Sequence, residues 1–208
     1  MDKHGNTVGS RGSLSNQQKY ILIGKILGDG CIEKNGYHAR LKIEQCDKQK
    51  EYVFWFYQKM KPFVGQQPKI ISHSGSNGKE TWRWRFNTLS LNLFDSYYSL
   101  FYKNGKKIIP LNLSEYLNTP LALAVWYMDD GYLRTDKSGA YLCTSSFSHA
   151  ENMHLQNILR KNFGIETNIH LAGRYLRLHI PSRSKNKFFR IIAPHICSCL
   201  NYKLPLTP

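Results

Sequence analysis

The sequence has little negative charge and no long apolar segment. Against 29 lysine and arginine residues it has 14 aspartate and glutamate residues, which gives a formal charge of +15 over 208 residues. This excess predicts a polyanionic partner and favours nucleic acid over a membrane surface. No apolar run reaches the roughly 20 residues that a membrane-spanning helix needs, so we expect no membrane insertion. Residues 1–18 are polar and lack a signal-peptide core, and we expect a disordered tail over residues 1–15.

The sequence also lacks the cysteine pairs of a zinc site or a disulfide framework. Its five cysteines are odd in number and scattered along the chain. The nearest two, Cys197 and Cys199, are too close for the usual zinc spacing and have no second pair to complete a site. We therefore expect reduced, mostly buried thiols in an intracellular protein.

Two apolar segments of the chain end in the same way, in Asp-Gly. Residues 121–131 read LALAVWYMDDG, and residues 21–30 read ILIGKILGDG. Leucine, alanine and methionine are good helix formers, and glycine is a natural place for a helix to end. Pro120 fits just before the second segment, because a missing N–H costs nothing at the start of a helix. Both segments therefore predict buried helices.

Each predicted helix carries a carboxylate at its own C-terminal end, Asp29 in the first and Asp130 in the second. The helix dipole is negative at that end, so acids there are unfavourable unless a cation binds. The two acids lie 101 positions apart, which predicts two similar halves of the chain. A half of this length is large enough to hold a hydrophobic core.

Two glycines of the first segment predict how these helices pack. Gly24 and Gly28 lie four positions apart on one face of the helix, which allows another backbone to approach closely. Val125 and Asp129 take the corresponding places in the second segment. We therefore expect direct helix–helix contact, with the glycine face on one side only.

Around each motif helix the apolar pattern predicts the order helix, strand pair, helix, strand pair, helix. In the first half the elements are a helix over residues 16–28, a strand over 37–46, a helix over 48–61, a hairpin of 69–72 and 81–87 with a turn over 74–80, and a helix over 89–102. In the second half the motif helix precedes a strand over 140–145, a hairpin of 166–171 and 174–180, and a helix over 182–193. Between the strand and the hairpin, Ser148 and Glu151 form a capping-box pattern before a helix that carries Met153, Leu155, Ile158, Leu159 and Phe163.

Strand alternation predicts which side chains face outward. In residues 81–87, Arg83 and Arg85 lie on one face as candidate DNA contacts, and the other face is expected to cover the core with Trp82, Trp84 and Phe86. Gln45 shares parity with the apolar side of its strand, so we expect a strand end or a bulge there.

Both motif segments resemble the LAGLIDADG motif of homing endonucleases, and VWYMDDG is similar to the variant written YWxMDDG. The resemblance covers about residues 17–205. It implies an α+β fold of two pseudo-symmetric αββαββα halves, residues 16–112 and 113–208, whose antiparallel sheets form a DNA-binding saddle. In this family the motif helices pack side by side and place their last acids over the DNA minor groove.

The resemblance implies a metal-dependent reaction at the two motif acids. Asp29 and Asp130 would each serve one DNA strand and bind Mg²⁺ or Mn²⁺, with the backbone carbonyls of Gly28 and Asp129 completing the shell. Mg²⁺ suits such a site because it needs few protein ligands besides phosphate and water. Ca²⁺ is expected to bind without supporting cleavage.

Three further side chains take catalytic roles by the same resemblance. Lys107 and Lys203, one near each centre, would polarise water or offset charge on the phosphate. Gln45 matches a position that contacts the water network. Its counterpart in the second half is predicted to be Ser145, which would make the pair asymmetric.

A double-stranded DNA partner is implied by the resemblance and agrees with the positive charge. Each sheet would follow about one turn of duplex, which predicts a site of roughly 20 bp for a monomeric enzyme. Cleavage across the minor groove would leave short 3′ overhangs. Outward side chains would contact the major groove, with arginine to guanine the favoured pairing, and the candidates are Arg40, Lys42, Arg83, Arg85, Arg177 and His179.

Three functions stay open at this point. The first is a site-specific DNA endonuclease of a mobile intron or free-standing mobile gene, in a mitochondrion, a chloroplast or a prokaryotic cytoplasm. The second is an RNA maturase whose partner is the host intron RNA, and the third is a DNA-binding regulator without catalysis. The second and third need not retain metal-binding acids, so the presence of both Asp29 and Asp130 favours the first.

Overall fold

The structure is a computed structural model that describes residues 12–74 and 80–205. The first half runs through α1 (Asn16–Leu27), β1 (Cys31–Asn35), β2 (His38–Cys46), α2 (Lys50–Met60), β3 (Lys69–Ser74), β4 (Glu80–Asn87), α3 (Asp95–Phe101) and a small hairpin of β5 (Tyr102–Lys103) and β6 (Lys106–Lys107). The second runs through α4 (Pro120–Asp130), β7 (Gly131–Leu133), β8 (Ala140–Cys143), α5 (His149–Ile158), β9 (Asn168–Ala172), β10 (Tyr175–Ile180) and α6 (Ser182–Ile192).

The two larger sheets have the same topology. Their strand orders are β1-β2-β4-β3 and β7-β8-β10-β9, with every neighbouring pair antiparallel. In each half the motif helix leads within a few residues into the first strand of its sheet. This repetition confirms the α+β fold class and the helix–strand order expected from the sequence. The boundary between residues 112 and 113 stays a prediction.

The motif helices begin where capping residues satisfy their first N–H groups. Ser15 accepts a hydrogen bond from the Gln18 backbone N–H while the Gln18 side chain accepts one from the Ser15 N–H. Thr119 accepts from the Ala122 N–H, and Pro120 occupies the first turn of α4. Such caps each contribute about 1 kcal/mol to helix stability. Both helices therefore start within one residue of the predicted positions.

Close packing of α1 on α4 depends on the two glycines of the first motif. A Cβ added at Gly24 would overlap the carbonyl oxygen of Ala122 and lie 2.7 Å from Val125 Cβ. A Cβ added at Gly28 would lie 2.5 Å from Asp129 Cβ. The helices are thus in direct backbone contact, and the glycine face belongs to α1 alone, as expected.

Two predicted elements, one helix and one strand, were wrong at their ends. The helix expected over residues 89–102 is confined to α3, because the preceding backbone pairs elsewhere: Leu89 N–H donates to Phe63 O, and Leu91 N–H donates to Ala39 O. The strand expected over residues 166–171 begins two residues later, since Glu166 N–H donates to the Ser184 hydroxyl.

Two burial predictions, one for Trp82 and one for the cysteines, also need correction. Trp82 is 50% exposed, because the outer end of the β3–β4 hairpin extends past the core, whereas Phe86 in the same strand is buried. Among the cysteines only Cys197 is buried, so the expectation of mostly buried thiols was wrong, although all five are free as predicted.

The predicted tail and turn lie largely outside the described residues, which omit 1–11, 75–79 and 206–208. The described end of the predicted tail is ordered, since Leu14 is buried in the core and Ser15 caps α1. Among the helices within residues 12–74 and 80–205, none combines the length and apolar character needed to cross a membrane.

The helix contact generates a stability prediction. Gly24→Ala must push α4 away from α1, so we expect the free energy of unfolding to fall by about 1–3 kcal/mol, as for other overpacked cores. The measurement is urea denaturation followed by circular dichroism. Gly12→Ala is the control, because an added Cβ there meets nothing within 4 Å. An unchanged urea midpoint for Gly24→Ala would contradict the packing.

Candidate active site

The C-terminal ends of the two motif helices meet at one point. Asp29 follows the cap residue Gly28 of α1, and Asp130 is the last residue of α4. The backbone N–H of Asp29 donates to Oδ2 of Asp129 at 3.2 Å, so the end of one helix is bonded to the end of the other. The structure therefore brings both predicted motif acids to the junction between the halves.

Burial of Asp129 and partial burial of Asp130 make the site electrostatically unfavourable without a cation, whereas Asp29 is exposed. Burial, followed by the charges of Asp29 and Asp129, raises the pKa of Asp130 to about 8. The pKa of Asp129 is also raised by burial, although the Lys25 ammonium opposes the shift. A carboxyl group with this environment would ionise far more readily beside a divalent cation. The donor set therefore fits the predicted metal.

A lysine lies behind each helix end, Lys203 buried and Lys107 half-buried. Lys107 Nζ donates to the carbonyl oxygens of Gly28 and Gly30, both at 2.9 Å. Lys203 Nζ donates to the carbonyl oxygens of Met128 at 2.6 Å and Asp129 at 3.2 Å. Both ammonium groups thus cap a helix C-terminus, where a cation is favoured by the dipole.

The same two lysines have lowered pKa values. Burial lowers the pKa of each ammonium group, and nearby acids oppose the shift: Asp130 for Lys107, and Asp129 for Lys203. The two lysines thus occupy equivalent places in the halves, as their positions in the sequence predicted. Their catalytic role stays a prediction.

Gln45 contacts the site, and its counterpart differs from the predicted one. Gln45 Nε2 donates to Asp29 Oδ2 at 2.8 Å from near the end of β2. The pairing of Cys31 with Lys42 and of Tyr132 with Tyr141 aligns Gln45 with Thr144.

Ser145 is therefore not the counterpart, because fewer residues separate the paired positions of β7 and β8 than those of β1 and β2. Ser145 is exposed, whereas the Thr144 side chain is buried and donates to Asn152 Oδ1. The two halves thus support their acids differently.

The carbonyls predicted to complete a metal shell already accept hydrogen bonds from lysine, Gly28 from Lys107 and Asp129 from Lys203. Within the described part of the chain, no three His, Cys, Asp or Glu side chains cluster to hold a metal. Mg²⁺ commonly binds through one or two carboxylates together with substrate phosphates and water. The carboxylates of Asp29 and Asp130, together with a substrate phosphate, are therefore a donor set compatible with Mg²⁺.

The outward face of the first sheet carries its basic residues in ion pairs. Arg40 and Lys42 contact Glu33 at 2.7 and 3.1 Å. On the neighbouring strands Arg83 and Arg85 both contact Glu44. Burial raises the pKa of Glu44, but hydrogen bonds from Arg85 and Arg83 outweigh it and lower the pKa.

The second sheet presents aromatic and histidine side chains on its outward face. Arg177 donates to the Tyr132 hydroxyl at 2.7 Å, and its guanidinium lies 4.0 Å from the Tyr141 ring centroid. His179 stacks on His170 with ring centroids 4.5 Å apart. All six predicted DNA-contacting residues are thus on outward strand positions, but their partners differ between the halves.

The sequence reasoning missed a buried ion pair between Lys25 and Asp129, which joins the two motif helices. It also missed the acids that order the arginines of the first sheet. A signal for the ion pair was present, because Lys25 is the single charged residue in the apolar part of its motif, ILIGKILG. A lysine in a buried helix requires an anionic partner.

Two repeated halves with the same sheet topology, whose motif helices meet at their acidic ends, define a class of protein. Residues 19–188 match the model of the LAGLIDADG DNA endonuclease family, and the chain belongs to that family. The resemblance seen in the two motifs is thereby confirmed.

Individual relatives agree with this membership. The chain is 32% identical to DNA endonuclease I-ChuI of Chlamydomonas applanata, covering 92% of this chain and 96% of the relative. It is 28% identical to the cytochrome b mRNA maturase bI2 of Debaryomyces hansenii, covering 97% and 79%. The solved structure of the homing endonuclease I-WcaI bound to its DNA recognition sequence has a TM-score of 0.88 and 28% identity, covering 95% of this chain and 89% of that one.

The raised pKa of Asp130 predicts a pH-dependent gain in stability on its removal. An aspartate ionises near pH 4 in an unfolded chain, while Asp130 ionises at about 8 in the fold. Between these values only the folded protein retains the proton, so its stability falls as pH rises. In EDTA at pH 8, the free energy of unfolding of Asp130→Asn should therefore exceed that of the unaltered protein. The difference should be at most about 1.4 kcal/mol per pH unit in this window.

The measurement is urea unfolding at pH 4, 6 and 8, and the advantage of Asp130→Asn should disappear at pH 4. Glu115→Gln removes the same charge from an exposed side chain and should show no such trend. A difference between Asp130→Asn and the unaltered protein that does not change with pH would contradict the burial of this carboxyl group.

Proposed function

We propose that this chain is a metal-dependent, site-specific double-strand DNA endonuclease of the homing type. The observation that carries the proposal is the junction of the motif helices, where Asp29 and Asp130 lie together with a lysine behind each helix end. DNA-cleaving relatives by name, including I-ChuI and the DNA-bound I-WcaI, support it.

Hydrolysis of a phosphodiester needs an activated water, neutralised phosphate charge and a stabilised leaving oxygen. Mg²⁺ or Mn²⁺ supplies these when bound between carboxylates. Asp29 and Asp130 would hold the ions, one acid from each half and one for each strand. Gln45 orients the Asp29 carboxylate through its hydrogen bond, and Lys107 and Lys203 offset the negative charge around the site.

The outward sheet faces would bind the duplex. Glu44 orders Arg83 and Arg85 before DNA arrives, which lowers the entropy lost when these side chains bind. Arginine can then form two hydrogen bonds to guanine in the major groove. With about one helical turn per sheet, the recognition site would span roughly 20 bp. We expect the protein to act as a monomer and to leave short 3′ overhangs.

A maturase function is the second candidate, because one relative is named an mRNA maturase at 28% identity. Its partner would be the host intron RNA. The paired acids at the helix junction favour cleavage, since RNA binding has no need for two carboxylates brought together at this point. We place the protein inside the cell, in an organelle or a prokaryotic cytoplasm, as the product of a mobile intron or free-standing gene.

The direct test is cleavage of a randomised duplex pool. The protein should cut a subset of duplexes in Mg²⁺ and none in EDTA, and sequencing of the cut ends gives the site. Binding of intron RNA without cleavage of any duplex in Mg²⁺ or Mn²⁺ would favour the maturase function instead.

Asp29→Asn and Asp130→Asn should each abolish double-strand cleavage of the selected site while leaving DNA binding within about threefold. The reason is that each variant loses a metal-binding charge without losing a sheet-face contact. Gel-shift titration measures binding, and denaturing electrophoresis of both labelled strands measures cleavage. Glu115→Gln is the matched control. Full double-strand cleavage by either aspartate variant would remove the assignment of these residues.

A further inference from the structure

A buried ion pair crosses the contact between the motif helices. Lys25 Nζ of α1 lies 2.6 Å from Asp129 Oδ1 of α4, and both side chains are 0% exposed. Two charges withdrawn from water are tolerated only when they are paired and their remaining hydrogen-bonding groups are satisfied. Asp129 meets this condition, and one of the groups it bonds is the backbone of Asp29 in the candidate active site.

The Asp129 carboxylate bonds three residues of the first half, two in and just after α1 and one in α2. Oδ1 also accepts a hydrogen bond from the Tyr52 hydroxyl of α2 at 3.0 Å. Oδ2 accepts from the backbone N–H of Asp29 at 3.2 Å. The Lys25 ammonium lies 4.9 Å from the centroid of the Tyr52 ring, which adds a cation–π contact to the cluster. A carboxylate of the second motif thereby fixes the backbone of the acid in the first.

This arrangement is not repeated with the roles of the two halves exchanged. Relative to the motif acids, Asp129 occupies the position of Gly28, and Lys25 occupies that of Trp126. Gly28 provides the space for the carboxylate, because a Cβ there would lie 2.6 Å from Asp129 Oδ2. Among residues 12–74 and 80–205, only the Asp29 side of the site is therefore held by a side-chain hydrogen bond from the opposite half.

We propose that Asp129, oriented by Lys25 and Tyr52, is a positioning residue for Asp29 and that cleavage of one DNA strand depends on it more than cleavage of the other. The inference rests on the proposed endonuclease function. Stability alone does not explain the cluster, because buried ion pairs are often no more stabilising than apolar residues of similar volume. The hydrogen bond from the Asp29 backbone N–H to Asp129 Oδ2 instead gives the buried carboxylate a positioning role.

Tyr52→Phe tests the proposal with the least disturbance, since it removes one hydroxyl and leaves the ion pair intact. Tyr57→Phe is the matched control on the same helix, because the Tyr57 hydroxyl has no hydrogen bond within the described residues. Nicking rates of the two strands are measured separately on an end-labelled target. Gln45→Ala identifies the strand that Asp29 serves, as the strand it slows more.

We expect Tyr52→Phe to slow the Asp29 strand by about tenfold, as for loss of a hydrogen bond to a charged group, and to leave the other strand within about twofold. Tyr57→Phe should leave the ratio of the two rates unchanged. A loss of general stability would slow both strands alike, so the ratio separates positioning from a structural role.

A second readout is independent of cleavage. Amide hydrogen exchange of Asp29, measured by NMR, should be about tenfold faster in Tyr52→Phe than in Tyr57→Phe, because a less restrained Asp129 bonds the amide for less of the time. Ca²⁺ titrated into the protein–duplex complex should bind more weakly in Tyr52→Phe.

Equal slowing of both strands, or no slowing, with unchanged exchange of the Asp29 amide would overturn the inference and leave the endonuclease function intact. If the unaltered protein cuts no duplex, the proposed function fails, while the amide comparison still decides whether Asp129 fixes the backbone of Asp29.

Discussion

Direct backbone contact between the two motif helices is the constraint on which the rest of the structure depends. Gly24 and Gly28 remove the side chains that would separate α1 from α4, and the space beside Gly28 is filled by Asp129. Because both helices end at this contact, the acids that follow them meet there as well. The two sheets are then fixed relative to each other, since each first strand begins within a few residues of its motif helix.

Meeting of the helix ends concentrates charge at one point, where Asp129 and Asp130 are largely withdrawn from water while Asp29 is exposed. Three aspartates, Asp29, Asp129 and Asp130, are surrounded by three lysines, of which Lys25 neutralises Asp129 directly. The other two ammonium groups bond backbone carbonyls instead, and burial, followed by the charges of Asp29 and Asp129, raises the pKa of Asp130 to about 8. A site that disfavours its own ionised state is a common feature of catalytic centres, where a bound cation or substrate relieves the strain.

On the outward face of each sheet, neighbouring side chains orient the basic residues that would bind the duplex. In the first half, Glu33 pairs with Arg40 and Lys42, and Glu44 contacts His73, Arg83 and Arg85. These pairs reduce the unpaired positive charge but fix the orientation of the basic side chains. In the second half, Arg177 is held by aromatic rings rather than by an acid. The two halves share a topology, yet they would present different chemistry to the two ends of an asymmetric duplex.

The sequence by itself determined the repeated order of helices and strands, the capped starts of both motif helices and the acids at their ends, because these follow from local propensity and from periodicity. The resemblance of the motifs to a known family also indicated Lys107 and Lys203 as the lysines near the two centres. Only the tertiary structure decided that Thr144 rather than Ser145 matches Gln45, since strand register depends on pairing across a loop. Likewise, the partner of Lys25 lies 104 positions away, and no local pattern can choose among the acids of the chain.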